Sequence, residues 1–234
     1  MKRFLFYCPC EGAVCTAPLK ELSGSASVDI WLHDWTGKAE FPVPEDYEWE
    51  AKTSMKGHKW PAIHEFNQRA LFDGYEAVAF WDDDLVASAR DIELLFHLGT
   101  MTGLDLWQAS LTKDSETAWP KLISQYRNEY PHLRKTDFVE IMMPVFSQRG
   151  LRACSATFGM SETGWGLGKL WPKELKRVIG EARMAVVDMV EVGHPDPIVS
   201  TKWRTSGGLS PFQEMEVVAK RYKKFLRKAG CTSK

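Results

Sequence analysis

Long hydrophobic runs are missing from this chain of 234 residues, and no stretch approaches the length a helix needs to cross a bilayer. A surplus of charge is missing too. Thirty basic residues stand against thirty-one acidic ones for a net charge of −1, so bulk composition offers no general grip on a polyanion, and nucleic acid is not expected as a partner. Cysteine is scarce and odd in number: of five, Cys8, Cys10 and Cys15 cluster while Cys154 and Cys231 stand apart. That spacing matches no zinc module, and the expectation is reduced, partly buried thiols in a cytosolic-type compartment. Lys2 and Arg3 followed by Phe4 to Tyr7 superficially resemble a signal peptide, but the apolar run is too short and Pro9 interrupts it. It reads as a first strand, and with no targeting segment the expected location is cytoplasmic.

What is present is an ordinary globular composition, 44% apolar, in a length that suits one large domain spanning residues 1–234. Arg3 to Tyr7 and Val28 to His33 read as strands with a helix near Ala17 to Leu22 between them. Trp35 to Lys59, rich in Pro, Gly and charge, reads as a long loop. A helix from Pro61 to Phe72 leads to an apolar strand, Ala77 to Trp81. Ser88 then caps a helix with Ile92, Leu95, Phe96 and Gly99 on one face. Leu104 to Ala109 reads as a strand, Ser110 to Arg134 as a polar segment carrying Trp119 and Tyr126, and Phe138 to Val145 as a strand limited by Pro144. A short helix is expected from Ser147, a glycine- and tryptophan-rich segment over Gly159 to Trp171, and a buried strand over Met184 to Val192. Alternation of this kind predicts an α/β protein with a mostly parallel sheet flanked by helices.

The C-terminal amphipathic helix, about 210–229, has the clearest start. Ser210, Pro211 and Gln213 form a capping box with proline at the first helical position. Phe212, Met215, Val218, Tyr222, Phe225 and Leu226 share one face, and Lys220, Arg221, Lys223, Lys224, Arg227 and Lys228 make a basic opposite side. A docked helix with a solvated face accounts for this; weak peripheral contact with an anionic membrane is the alternative.

The main chemical signal is Asp82, Asp83 and Asp84, directly after the strand Ala77 to Trp81. Ligands of open α/β sheets bind where strands leave the sheet. Three adjacent carboxylates raise one another's pKa unless a cation sits among them, which points to a divalent metal and a phosphate-bearing substrate. Asp83 has a plainer role open to it, capping the next helix.

Phe80-Trp81-Asp82-Asp83-Asp84-Leu85 resembles the Asp-x-Asp motif of GT-A-type glycosyltransferases. Further landmarks are Lys56-Gly57-His58-Lys59-Trp60, Leu106 to Leu111, Phe138 to Ser147, Gly164-Trp165-Gly166-Leu167, and Val186-Val187-Asp188 with His194. Their order, over about 28–197, is similar to that of an uncharacterised glycosyltransferase-like family known as DUF707. The resemblance implies a GT-A-like, Rossmann-like fold. It also implies a manganese or magnesium ion, a nucleotide-diphosphate-sugar donor and a carbohydrate or small-molecule acceptor. Asp84 is then the direct metal ligand, Asp82 holds the ribose or a metal-bound water, and His194 is a third ligand. Asp188, in an apolar strand, needs a partner and is expected to orient His194 or a cation. Asp34 is a candidate for a ribose hydroxyl or base imide, or else a turn former. Lys56 and Lys59 are candidate diphosphate contacts, and the cysteine-rich turn a candidate wall of the nucleotide pocket. Glu162, then Glu140, are candidate bases for an inverting reaction, and Trp107, Trp165 and Trp171 candidate sugar-stacking rings, core packing being the alternative. In the family an Asp follows Gly-Leu, where this chain has Gly168. Two other functions fit the same acids: a metal-dependent phosphoester hydrolase, and a catalytically silent nucleotide-sugar-binding protein.

Overall fold

The computed structural model describes residues 2–11, 17–41, 50–125, 133–195 and 203–230; Cys15, Tyr126 and Cys231 lie outside these. In chain order the elements are β1 (Phe4–Cys10), α1 (Leu19–Ser23), β2 (Val28–Asp34), β3 (Ala51–Ser54), α2 (Lys59–Gln68), β4 (Ala77–Phe80), α3 (Ala89–Met101) and β5 (Leu106–Leu111). They continue with β6 (Leu133–Lys135), β7 (Val145–Ser147), α4 (Gln148–Cys154), α5 (Leu167–Ile179), β8 (Met184–Val192) and α6 (Pro211–Lys228). The strands form one mixed sheet in the order β3-β2-β1-β4-β7-β5-β8-β6. Parallel pairings join β3, β2, β1 and β4 in turn, and β5 to β8; β7 and β6 pair antiparallel.

β1 is buried along its whole length because both faces of the sheet are covered. Phe4, Phe6 and Cys8 enter a core closed by α1 and α3, while Leu5 and Tyr7 enter a second core closed by α2, α4, α5 and α6. The chain builds outward from β1 through β2 to β3, then returns to the other side of β1 with β4. The strand order therefore reverses at the β1/β4 boundary.

Most of the expected elements form, with displaced ends. Ser88 caps α3, accepting from the Asp91 backbone, and Ile92, Leu95, Phe96 and Gly99 are its buried face. Gly99 is required there, since a Cβ would lie 2.0 Å from Cε2 of Trp107. The capping box of α6 is intact, and the helix docks through Pro211, Glu214, Val218 and Tyr222, leaving Phe212 56% exposed.

Two expectations are corrected, and one segment left without an element gains one. The stretch Trp35 to Lys59 contains β3, a short edge strand whose alternating exposure gives it little apolar signature. Phe138 to Pro144 is not a strand; the strand begins at Val145 and runs antiparallel between β4 and β5. The glycine- and tryptophan-rich segment becomes α5 from Leu167 onward, with Pro172 inside it. Trp107 and Trp171 are fully buried, so they pack the core rather than face a sugar. Cys8, Cys10 and Cys154 are buried. Among the described residues no helix is long and apolar enough to cross a membrane.

Candidate functional site

Trp81 and Leu85, both fully buried, pin the two ends of a turn and leave Asp82, Asp83 and Asp84 outside the core at the carboxyl end of β4. Backbone bonds set its position: Trp81 N–H donates to Tyr7 O at 2.9 Å and Asp82 N–H to Met142 O at 2.8 Å. Val86 and Gly193 then exchange backbone hydrogen bonds of 2.9 and 2.8 Å. That bridge brings the residue after Gly193 to the acids. His194 Nε2 lies 3.5 Å from Asp84 Oδ2, and its Nδ1 donates to Glu116 O at 2.6 Å.

Lys59, the first residue of α2, pairs with Asp82 Oδ1 and also donates to Ile141 O at 2.9 Å. Even so, burial, with help from Asp84, pushes the Asp82 carboxyl up to about 7 against the pull of Lys59. Burial likewise lifts Asp83 to about 6, although Trp35 Nε1 donates to it at 3.3 Å. In Asp84 burial is outweighed by the hydrogen bond from His194, which holds the carboxyl below its ordinary value. The same bond raises His194 to about 9. Glu140 is the fourth acid of the group, nine-tenths buried, its carboxyl pushed up to about 7 by burial and then by Asp82. Its Oε2 has no hydrogen-bond partner among the described residues.

Asp82, Asp83 and Asp84 face a crevice of about 200 Å³ at the carboxyl ends of the central strands, and Glu140 lines a smaller pocket that shares Ile141 and Trp165 with it. Pro9 from β1 and Trp35 just after β2 line it together with Thr163, Trp165 and Trp203, the Trp35 and Trp203 rings meeting edge to face with centroids 6.0 Å apart. Glu214 of α6 pins the Thr163 part of this wall, accepting from the backbone of Glu162 and Thr163 and from the Thr163 hydroxyl. No family model and no curated protein matches the chain. A solved structure, the crystal structure of A197 from STIV, is similar at a TM-score of 0.35 and 15% identity, over 64% of this chain and 67% of that one. A likeness that distant carries no functional argument.

The structure brings together Asp82, Asp83, Asp84, Lys59, Glu140 and His194, and separates the other candidates from them. Asp188, 2% exposed, pairs with Arg134 of β6 through two bonds of 2.9 and 3.0 Å, so it does not orient His194. Asp34 is fully buried and accepts from Thr36, Ala39 and Ser54, the turn-forming role. Burial works to raise its carboxyl, but these bonds prevail and hold it at about 2. Lys56 is exposed and lines a neighbouring cavity, and Glu162 accepts from Ser206 N at 2.7 Å and Ser206 Oγ at 2.9 Å. Asp83 does not cap α3; Ser88 does. Gly168 packs so closely that a Cβ would lie 2.3 Å from Val139 O, which leaves no room for an aspartate. Sequence reasoning did not find Trp35, Trp203 or Thr163. The carbonyl of Glu116, which orients His194, carries no side-chain signal at all.

The residues present suit a divalent cation, although among the described residues no three His, Cys, Asp or Glu side chains converge on one point. Four carboxylates face Lys59 and His194, and with His194 neutral, as a metal ligand must be, Lys59 leaves a deficit of three charges, two of which a divalent ion offsets. Oε2 of Glu140 is an orphaned buried acceptor. With Nδ1–H of His194 bonded to a carbonyl, the neutral imidazole presents the Nε2 lone pair on the Asp84 side, as metal-binding histidines do.

Proposed function

We propose that this chain is a metal-dependent glycosyltransferase of GT-A-like architecture that moves a sugar from a nucleotide-diphosphate donor to a carbohydrate or small-molecule acceptor. One observation carries the proposal: the acid turn opens into a crevice at the carboxyl end of the sheet, beside the boundary where the strand order reverses. That is where open α/β sheets hold nucleotides. The order of landmarks similar to DUF707 supports the same conclusion.

Asp82, Asp84 and His194 would hold manganese or magnesium, whose chemistry is to neutralise charge on a departing diphosphate. Trp35, just after β2 and half-buried, offers a flat face for the base. Lys59 serves as a fixed countercharge to Asp82, tied also to Ile141 O. Glu140, with a free oxygen and a carboxyl that titrates near neutrality, is better suited than Glu162 to take a proton from an acceptor hydroxyl.

The test is a thermal-shift and calorimetric titration of UDP and GDP with and without manganese. Either nucleotide is expected to raise the melting temperature only with the metal, and Asp84→Ala to abolish the effect. Unchanged affinity in that variant overturns the assignment. Sugar transferred to an acceptor, rather than phosphate released, separates this activity from a phosphoester hydrolase.

A further inference from the structure

α5 and α6 run side by side in the same direction. Gly166, just ahead of α5, lies close against Met215 and Val218, Tyr222 Oη donates to Glu174 at 2.7 Å, and the Arg177 guanidinium sits 5.6 Å from the Phe225 ring. Ten of the chain's thirty basic residues lie on these two helices, against three of its thirty-one acids. Two of the three acids are buried and spent inside, Glu174 on Arg177 and Tyr222, and Glu214 on the backbone of Glu162 and Thr163. Glu216 is the exposed one. A chain whose charges sum to −1 is therefore strongly polarised, with its basic excess on this side.

The helix α6 docks through Pro211, Glu214, Val218 and Tyr222, and Lys220, Lys223, Lys224 and Arg227 occupy an arc of about 100° on the opposite, exposed face. Among the described residues, Arg177 with Glu174 is the only ion pair on the two helices. Like charges three and four residues apart repel, and the pull of a helix C-terminus accounts for cations in the last turn only. Lys220, Lys223 and Lys224, and Lys173 on α5, lie ahead of those turns. An anionic surface turns this repulsion into attraction. Phe212, about three turns ahead of Lys223 on the same side, is 56% exposed. A bulky ring beside a lysine-rich face suits a headgroup region, where the ring meets acyl chains and the lysines meet phosphates. These cations stand on the outer face of a helix rather than along a groove, the feature that tracks a nucleic-acid strand.

We propose that the outer face of α6, extended by Lys173 and Lys176 of α5, binds the surface of an anionic lipid bilayer. The apolar face of α6 is committed to the core, so the helix stays docked and the contact is electrostatic and reversible. The surface does not depend on the acid turn or on a metal, so it stands or falls separately from the transferase proposal.

The test is flotation of the full chain, in EDTA, with vesicles of phosphatidylcholine alone and with about 30% phosphatidylserine added. Fluorescence anisotropy with a single-stranded RNA oligonucleotide runs in parallel. Binding to the phosphatidylserine vesicles alone is expected, and its loss as salt rises from about 0.05 to 0.5 M. Each cation near such a surface strengthens binding about fivefold, so Lys223→Gln combined with Arg227→Gln should weaken it at least about tenfold. Lys20→Gln combined with Arg90→Gln removes the same charge from exposed positions on α1 and α3, which cover the other face of the sheet, and should leave binding within about twofold. All four side chains are exposed, and circular dichroism checks that both variants fold. No binding to the anionic vesicles at low salt overturns the proposal, as does an equal loss in the two double variants. RNA binding that the α6 variant abolishes, without flotation, assigns the face to nucleic acid and overturns it as well.

Discussion

Gly168 tests whether the closed wall beside Glu140 is set by packing. It is buried at the start of α5, and an added Cβ would stand 2.3 Å from the carbonyl oxygen of Val139 and 3.1 Å from Cε2 of Phe138, where real Cβ atoms essentially never come within 3.0 Å of a neighbour. The obstacle is backbone rather than the end of a flexible side chain, so Gly168→Ala must push α5 away from the segment that carries Glu140. Overpacking of this kind costs about 1–3 kcal/mol. In a chain of this size that corresponds to a melting temperature lower by about 2–12 °C. Gly168→Asp is expected to cost more, because it sets an ionised group against a buried carbonyl in addition to the clash. Gly24→Ala is the control: its φ is −80° and its Cβ would meet nothing nearer than Glu21 O at 3.6 Å. It should leave stability within about 0.5 kcal/mol or raise it slightly. Thermal unfolding followed by circular dichroism, with urea titration as a second measure, reads all three. If Gly168→Ala melts with the parent and the control, the close approach of α5 to Val139 is not constraining, and the absence of an aspartate after Gly-Leu needs another explanation.

Asp188→Asn leaves Arg134 facing a neutral group and should destabilise by about 2–3 kcal/mol, read by urea titration, without changing manganese-dependent nucleotide affinity; a fall in that affinity would return Asp188 to the site. Glu140→Gln should leave nucleotide binding intact and lower transfer by about 10²–10⁴-fold, while Glu162→Gln stays within a few-fold, and the reverse ranking would reinstate Glu162 as the base. Without divalent metal, stability should fall steadily from pH 5 to 9. Asp82, Asp83 and Glu140 bind protons more tightly folded than unfolded, so their contribution is full below about pH 4 and is lost as pH passes through about 6–7; that of His194 is lost through about 9. A melting temperature that climbs over that range refutes the placement of these groups.

The parts of the fold that were legible carry their signal within a few residues. The apolar run before Asp82, the Ser88 cap with its i, i+3, i+4 apolar face, and the Ser210-Pro211-Gln213 cap are local, and each formed as expected. β3 was hidden because four edge residues of alternating exposure look like loop, and no element was assigned to the glycine- and tryptophan-rich stretch in which α5, with Gly168 and Pro172 inside it, begins. Gly168 is tolerated for the close approach to Val139 rather than for a turn. Pairings far apart in sequence were out of reach. Nothing near Asp188 signals that its partner is 54 residues away, and the Ser206 loop that occupies Glu162 is 44 residues away.

The acid turn itself explains why the site tolerates so much negative charge in a folded chain. Lys59 and His194 are each held by a backbone carbonyl as well as by a carboxylate, Lys59 by Ile141 O and His194 by Glu116 O. Neither is a swinging surface charge, so each acts at fixed geometry in a partly desolvated setting, where a charge pair is stronger than in water. Burial, added to a deficit of two cations against four carboxylates, raises the proton affinity of Asp82, Asp83 and Glu140. Protons and a divalent ion therefore compete for the same deficit. It follows that manganese binding should release protons near pH 7, which titration in buffers of different ionisation enthalpy measures directly. Binding with no proton release would mean that the ion sits somewhere other than among these acids.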